Sequence, residues 1–160
     1  MTAARVRRMS WPIVAAALVG CGSTAGGGAT PATNANYIQQ YANAGAALDT
    51  ATTTWDTLGQ SLVAAGMNTV ANEAPIDAGY AQALQVFSNT VLGIQFPAAA
   101  MTDVHVLVNA ATAVRTDLAG VASGAVPTAQ FVSDEANLQA AINLVQRDIG
   151  LGSSTPIAGG

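Results

Sequence analysis

The 160-residue chain has no lysine, one histidine, one cysteine and two glutamates, and only 9% of its residues are charged. Each shortage closes off a class of chemistry. The lone Cys21 leaves an intramolecular disulfide without a second partner. Two glutamates and one histidine cannot supply the repeated Glu-x-x-His motifs of a di-iron bundle, and no metal or cofactor is expected. Of the five basic residues, Arg5, Arg7 and Arg8 crowd the start. Arg115 and Arg147 then face nine acids after Cys21, a side-chain balance of −7. So acidic a stretch has no electrostatic footprint for phosphate backbones, and nucleic acid is not an expected partner. Long apolar runs are missing too. Trp11–Val19 is nine residues, whereas a membrane-spanning helix takes about 20. What remains is 51% hydrophobic and dominated by Ala, Thr, Gly and Val, too apolar and too charge-poor for a disordered chain.

The first twenty residues have an order of their own. Arg5, Val6, Arg7 and Arg8 form a positive n-region and Trp11–Val19 an apolar h-region, the layout of a secretory signal. At its end, Leu18-Val19-Gly20-Cys21 resembles the lipobox of bacterial lipoproteins: an aliphatic residue, a small or aliphatic one, Gly or Ala, then Cys. The resemblance implies a diacylglyceryl group on the Cys21 sulfur and cleavage by a signal peptidase after Gly20. It makes the α-amino group of Cys21 a second candidate for acylation. One acyl chain gives only marginal membrane binding, with K of about 10⁴ M⁻¹, whereas two or three hold a protein durably. Two alternatives stay open: a secretory signal with a chance Cys, and export by the twin-arginine route. For the latter, Arg7-Arg8 is followed by Met9 and Ser10 rather than the usual apolar pair. The composition beyond the lipobox is similar to that of small Ala/Thr-rich actinobacterial lipoproteins, whose mature parts are often helical. That likeness lends a location, lipid-anchored on the extracytoplasmic face of the cell membrane, and no activity.

The expected organisation is a signal peptide over residues 1–20, a lipidated Cys and flexible tether over 21–36, a helical body over 37–150 and a flexible tail over 151–160. The tether, GSTAGGGATPATNAN, has no bulky apolar residue and as Gly/Ser-like coil spans roughly 20 Å. The body carries four seams at helical spacing. Tyr37, Tyr41, Ala44, Leu48, Ala51, Trp55, Leu58, Leu62 and Ala65 form the first; Ile76, Tyr80, Leu84, Phe87, Val91 and Ile94 the second. Val104, Leu107, Ala111, Val114, Leu118 and Val121 form the third, and Phe131, Leu138, Ile142, Val145 and Ile149 the fourth, with Glu135 in its one polar slot. The Thr52-Thr53-Thr54 cluster is β-branched but lies inside a continuing seam. Pro75, Pro97 and Pro127 stand where new runs begin, as proline does in a first helical turn. Gly66, Gly124 and Gly150 close runs in the manner of C-terminal caps. With short connections making neighbours antiparallel, the pattern predicts an all-α, up-down-up-down four-helix bundle. Gly45, Gly59, Gly79 and Gly93 inside the helices signal close helix contacts, local bends or simple tolerance.

Candidate chemistry is sparse. His105 has no partner at a recognised spacing, so a solvated or edge-of-core histidine is the expectation. No serine lies in a nucleophile-elbow context and no glycine-rich loop matches a phosphate cradle. Ser133-Asp134-Glu135 reads as capping near the start of the fourth helix, where acids complement the helix dipole. Glu135 on a seam should lie at the wet end of the bundle, or else meet Arg115 or Arg147. The aromatics fall on seams and are expected in the core, an aromatic-lined groove being the alternative. Phe96, just before Pro97, either plugs the core or faces a partner. No catalytic residue emerges. The expected function is a non-enzymatic, membrane-tethered interaction module for an envelope protein; the second reading is a binding protein for a small apolar or lipid ligand held between the helices.

Overall fold

The computed structural model describes residues 34–123 and 125–151. Those residues form an all-α, up-down-up-down four-helix bundle: α1 Asn34–Ala64, α2 Val70–Gly93, α3 Met101–Ser123 and α4 Thr128–Asp148, with one 3-10 turn at Ala98–Ala100. No strand occurs among them. The lipobox Leu18-Val19-Gly20-Cys21, Gly124 and the tail from residue 152 lie outside the described residues.

Backbone chemistry explains the helix ends. At the end of α1, Gly66 takes φ +67°, its N–H bonds the Val63 carbonyl and the Met67 N–H reaches back to Leu62. This is a Schellman closure, which needs a left-handed residue and favours glycine there. Gly150 does the same work after α4 at φ +78°. The proline reading needs correction at Pro75. The second helix starts not there but at Val70, because the extended Thr69 caps it: the Thr69 hydroxyl accepts from the Asn72 N–H at 3.4 Å. Hydroxyl capping of free N–H groups is a stronger start signal than a proline one turn later. Pro75 therefore sits in the second turn, exposed. Pro97 and Pro127 occupy cap positions just outside the helical turns they precede.

The threonines of α1 stay helical through back-bonding. Thr50, Thr52, Thr54 and Thr57 each donate a hydroxyl to the carbonyl four residues before, at 2.8–2.9 Å. A β-branched residue in a helix loses side-chain freedom, and this bond offsets part of that loss.

Leu84, Leu107, Val91, Val104, Val114 and Val145 are fully enclosed at the centre. Truncating a leucine among them to Ala would cost about 2–5 kcal/mol, the range for such cavities. The second, third and fourth seams are buried nearly throughout, but the first departs from its expectation. Tyr41, Ala44, Leu48 and Trp55 are buried and Ala51 half-buried, after which Leu58 is 46% exposed and Ala65 is exposed. The 4-3 spacing continues, yet the helices it would face have ended.

Consecutive helices pack along their lengths, whereas no described Cα of α1 comes within 8 Å of one in α3 or α4. Large rings bridge that wider gap. Trp55 on α1 meets Phe131 on α4 with ring centroids 6.0 Å apart, and Tyr37 and Tyr41 each lie 6.0 Å from Phe96. Phe96 is thus a plug for the core end, which settles its two readings. More of the described aromatics lie on α1 than on any other helix.

Candidate functional site

Three features stand apart from simple core packing. The first is the free end of the α1/α2 hairpin. Trp55 is level with Phe131, three residues into α4, while α1 runs on for nine residues to Ala64. At 1.5 Å per residue the hairpin overhangs the α3/α4 end by about 9 Å. Within this overhang lie Leu58, Val63, Met67 and Val70, each 46–58% exposed. Half of the exposed large hydrophobics among the described residues thus fall within thirteen positions, at the end of α1 opposite its start.

The second feature is a groove along the outer face of the same hairpin. Ala44, Ala47 and Leu48 of α1 and Gly79, Ala83 and Phe87 of α2 line a volume of about 300 Å³. Small side chains on both walls hold the rims low, and a Cβ built on Gly79 would meet nothing within 4 Å. Gly79 and the similarly open Gly93 are cases of tolerance rather than close packing.

The third is polar. Asp77 is buried on α2 and accepts the Trp55 indole N–H at 2.7 Å. On α3 and α4, aspartates neighbour aspartates: Asp134 acts on Asp117, and Asp148 on Asp103. Burial, together with neighbouring Asp134, pushes the Asp117 carboxyl up from its ordinary value. Asp134 is held down, chiefly by the Gln130 side-chain amide donating at 2.8 Å and also by Asn137. Neighbouring Asp148 raises Asp103, against the lowering pull of Arg147. Arg147 spans this second pair, 3.8 Å from Asp103 and 3.3 Å from Asp148. At the far end of the core, the Tyr41 hydroxyl is buried without a hydrogen-bond partner among the described residues, and burial raises it well above the ordinary phenolic range.

The structure redistributes several expected roles. Asp134 lies two turns into α4 and serves the α3/α4 contact, so capping is not its task. Glu135 is half-buried there, while Arg147 is engaged by Asp103 and Asp148 instead. His105 is exposed on α3. Among the described residues, no three of His, Cys, Asp and Glu gather as a metal set, and no helix is long and apolar enough to cross a membrane. Cys21 and Gly20 fall outside the described residues. The paired aspartates did carry a sequence signal: Asp103, Ala110 and Asp117 repeat at intervals of seven, and so do Asp134, Ala141 and Asp148.

Comparison with protein-family models, curated proteins and solved structures found no match to the chain.

Proposed function

We propose that the chain is an extracytoplasmic lipoprotein, anchored through lipid on Cys21, whose bundle is a non-enzymatic interaction module for an envelope protein. The observation that carries this reading is the overhanging apolar tip of the α1/α2 hairpin. Soluble domains seldom gather exposed apolar side chains at one place without a partner for them. The layout fits a tether at the start of α1. A 31-residue helix is about 46 Å long, so the Met67 end is presented on the side away from the anchor.

A second reading, a site for a small apolar or lipid ligand, draws on the α1/α2 groove. Its volume of about 300 Å³ stands at the lower edge of ligand pockets, near 300–1,000 Å³. The groove is open along its length, whereas such pockets enclose most of their ligand. The tip is accordingly the preferred element.

A photo-crosslinking residue at Met67, with a control at exposed Gln95 near the opposite end, tests the choice in the native envelope. The proposal expects one reproducible protein adduct from position 67 and none from position 95. Equal labelling at both positions, or co-purified lipid with no protein adduct, would overturn it.

A further inference from the structure

The helix α2 carries a second seam besides the one it buries in the core. Gly79, Ala83, Val86, Thr90 and Gly93 follow the same 4-3-4-3 spacing as the core residues Tyr80, Leu84, Phe87, Val91 and Ile94, each one place earlier in the chain and so about 100° around the helix. The core seam is buried, whereas Gly79, Val86, Thr90 and Gly93 are exposed, Val86 at 57%. Val86 also lines the α1/α2 groove, together with Gly79, Ala83 and Thr90. Seven residues separate Gly79 from Val86 and Val86 from Gly93, a repeat that keeps all three on one side of the helix over about 21 Å. Glycine weakens a helix interior, and a Cβ built on Gly79 or Gly93 meets nothing within 4 Å. Within one chain both glycines are merely tolerated; between two chains they would leave room for a second backbone.

Charge decides what can cover this face. With two arginines against nine acids after Cys21, copies of the body repel one another, and they can meet only where acids are absent. No charged side chain lines the groove. On α1, Asp49 lies about 200° around from the groove residue Ala47. On α2, Asp77 is buried and bonded to the Trp55 indole, and no residue from Ala78 to Thr102 carries a charge. The exposed polar residues on and beside the seam are Gln82, Asn89 and Thr90, whose amides and hydroxyl both donate and accept hydrogen bonds. A twofold contact sets each residue against or beside its own copy. A charged residue so placed repels itself, whereas an amide can bond itself and a glycine lets the two helix axes close.

We propose that this face of α2 is where two copies of the anchored protein pair, side by side and parallel, with Gly79, Val86 and Gly93 of each against the same three residues of the other. The two Val86 side chains meet at the mouths of the two grooves and cover both. Size fixes the conditions. A seam about 21 Å long on helices about 10 Å wide covers less than the roughly 800 Å² per partner of a stable complex, so free chains in dilute solution stay single. Tethers in one membrane raise the effective concentration of the second copy. They also give both α1 helices the same starting side, which selects the parallel arrangement over the antiparallel one. The direction and the conditions rest on the anchor proposed at Cys21; the face itself does not. Pairing brings the two Met67 ends to one level, so the apolar tips offer the envelope protein a doubled surface.

The test is disulfide trapping of the full chain in its native envelope, with Gly79→Cys, Val86→Cys and Gly93→Cys made singly and Val132→Cys, exposed on α4, as control. Both glycine positions have room for the new side chain and Val86 is exposed, so the fold carries all three. A disulfide needs Cα atoms within about 7 Å, which the paired face supplies and α4 does not. After mild oxidation with diamide, mass spectrometry of the linked peptides names the positions joined. The proposal expects covalent dimer through 79, 86 and 93 and none through 132. Monomer at all four positions, or dimer through 132 equal to that through 86, overturns it. A chain carrying both Gly79→Cys and Gly93→Cys reads the direction: links of 79 to 79 and 93 to 93 support the parallel pair, and a link of 79 to 93 between copies overturns it. A wild-type link through Cys21 is the separate sign that the anchor reading has failed. The tip's own partner is read at position 67, so failure there and failure of the α2 pair are told apart.

Discussion

Trp55 donates its indole N–H to the Asp77 carboxylate at 2.7 Å, across 22 residues of sequence and from α1 to α2. The same indole stacks on Tyr80 at 4.7 Å and meets Phe131 of α4 at 6.0 Å. One side chain thus fixes the register of the first hairpin and supplies the ring contact that carries α1 to α4. Trp55→Phe keeps an aromatic ring but removes the donor, leaving Asp77 a buried acceptor without this partner. We expect a loss of about 3 kcal/mol, the sum of lost packing and an unmet polar group, read from urea unfolding. Asp77→Asn retains an oxygen acceptor and removes the charge, so it should stay within about 1 kcal/mol of the wild type. A cost for Trp55→Phe no larger than that of Asp77→Asn would show that the bond does not set the register.

Tyr41 presents the opposite case. Its ring packs tilted on Phe87 and edge-on to Phe96, while its hydroxyl is buried with no hydrogen-bond partner among the described residues. A buried polar group without a partner carries a desolvation cost that its removal relieves. Tyr41→Phe should therefore stabilise the bundle, by up to about 1 kcal/mol in urea unfolding. A measured loss would mean that the hydroxyl has a partner in solution, such as an ordered water.

The turn between α3 and α4 depends on a missing side chain. The Gly120 carbonyl accepts the N–H groups of Ala125 and Val126, at 2.8 and 3.2 Å, which draws Val126 across the helix end. A Cβ on residue 120 would clash with the Val126 side chain, whose own Cβ would stand only 3.0 Å away. Gly120→Ala should cost about 1–3 kcal/mol, as overpacking does. Val126→Ala introduced alongside should recover most of that cost, a coupling that a double-mutant cycle measures directly. Additive costs would show that the strain lies in the backbone.

Helix number, order and core were legible in the sequence because each seam repeats at one period and Gly66 and Gly150 mark ends by a conformation few other residues adopt. Trp55, Leu84 and Val114 were placed inside by spacing alone, and they are inside. Period carries no record of where a facing helix stops, which is why Leu58 was assigned to the core and emerges on the overhang. Pro75 does not mark the helix start for a local reason: the Thr69 hydroxyl, not the proline, gives the free Asn72 N–H of the first turn a partner. The aspartate pairs were hardest. Acids placed beside acids emerge only once the antiparallel register of α3 against α4 is known, and a single helix does not display it.

The anchor proposed at Cys21 has its own experiment, independent of the bundle. Acylation of a lipobox cysteine needs its thiol. Cys21→Ser should therefore lose metabolic labelling by an alkynyl fatty acid and the salt-resistant membrane retention expected of two or three acyl chains. A secretory signal with a chance cysteine gives a different pattern: wild type and variant are both cleaved, neither is labelled, and both leave the membrane fraction. Intact mass of the wild type separates the two outcomes in one measurement, because a chain beginning at Cys21 and heavier by a diacylglyceryl group has no other origin. An unlabelled wild type of unmodified mass would overturn the anchor.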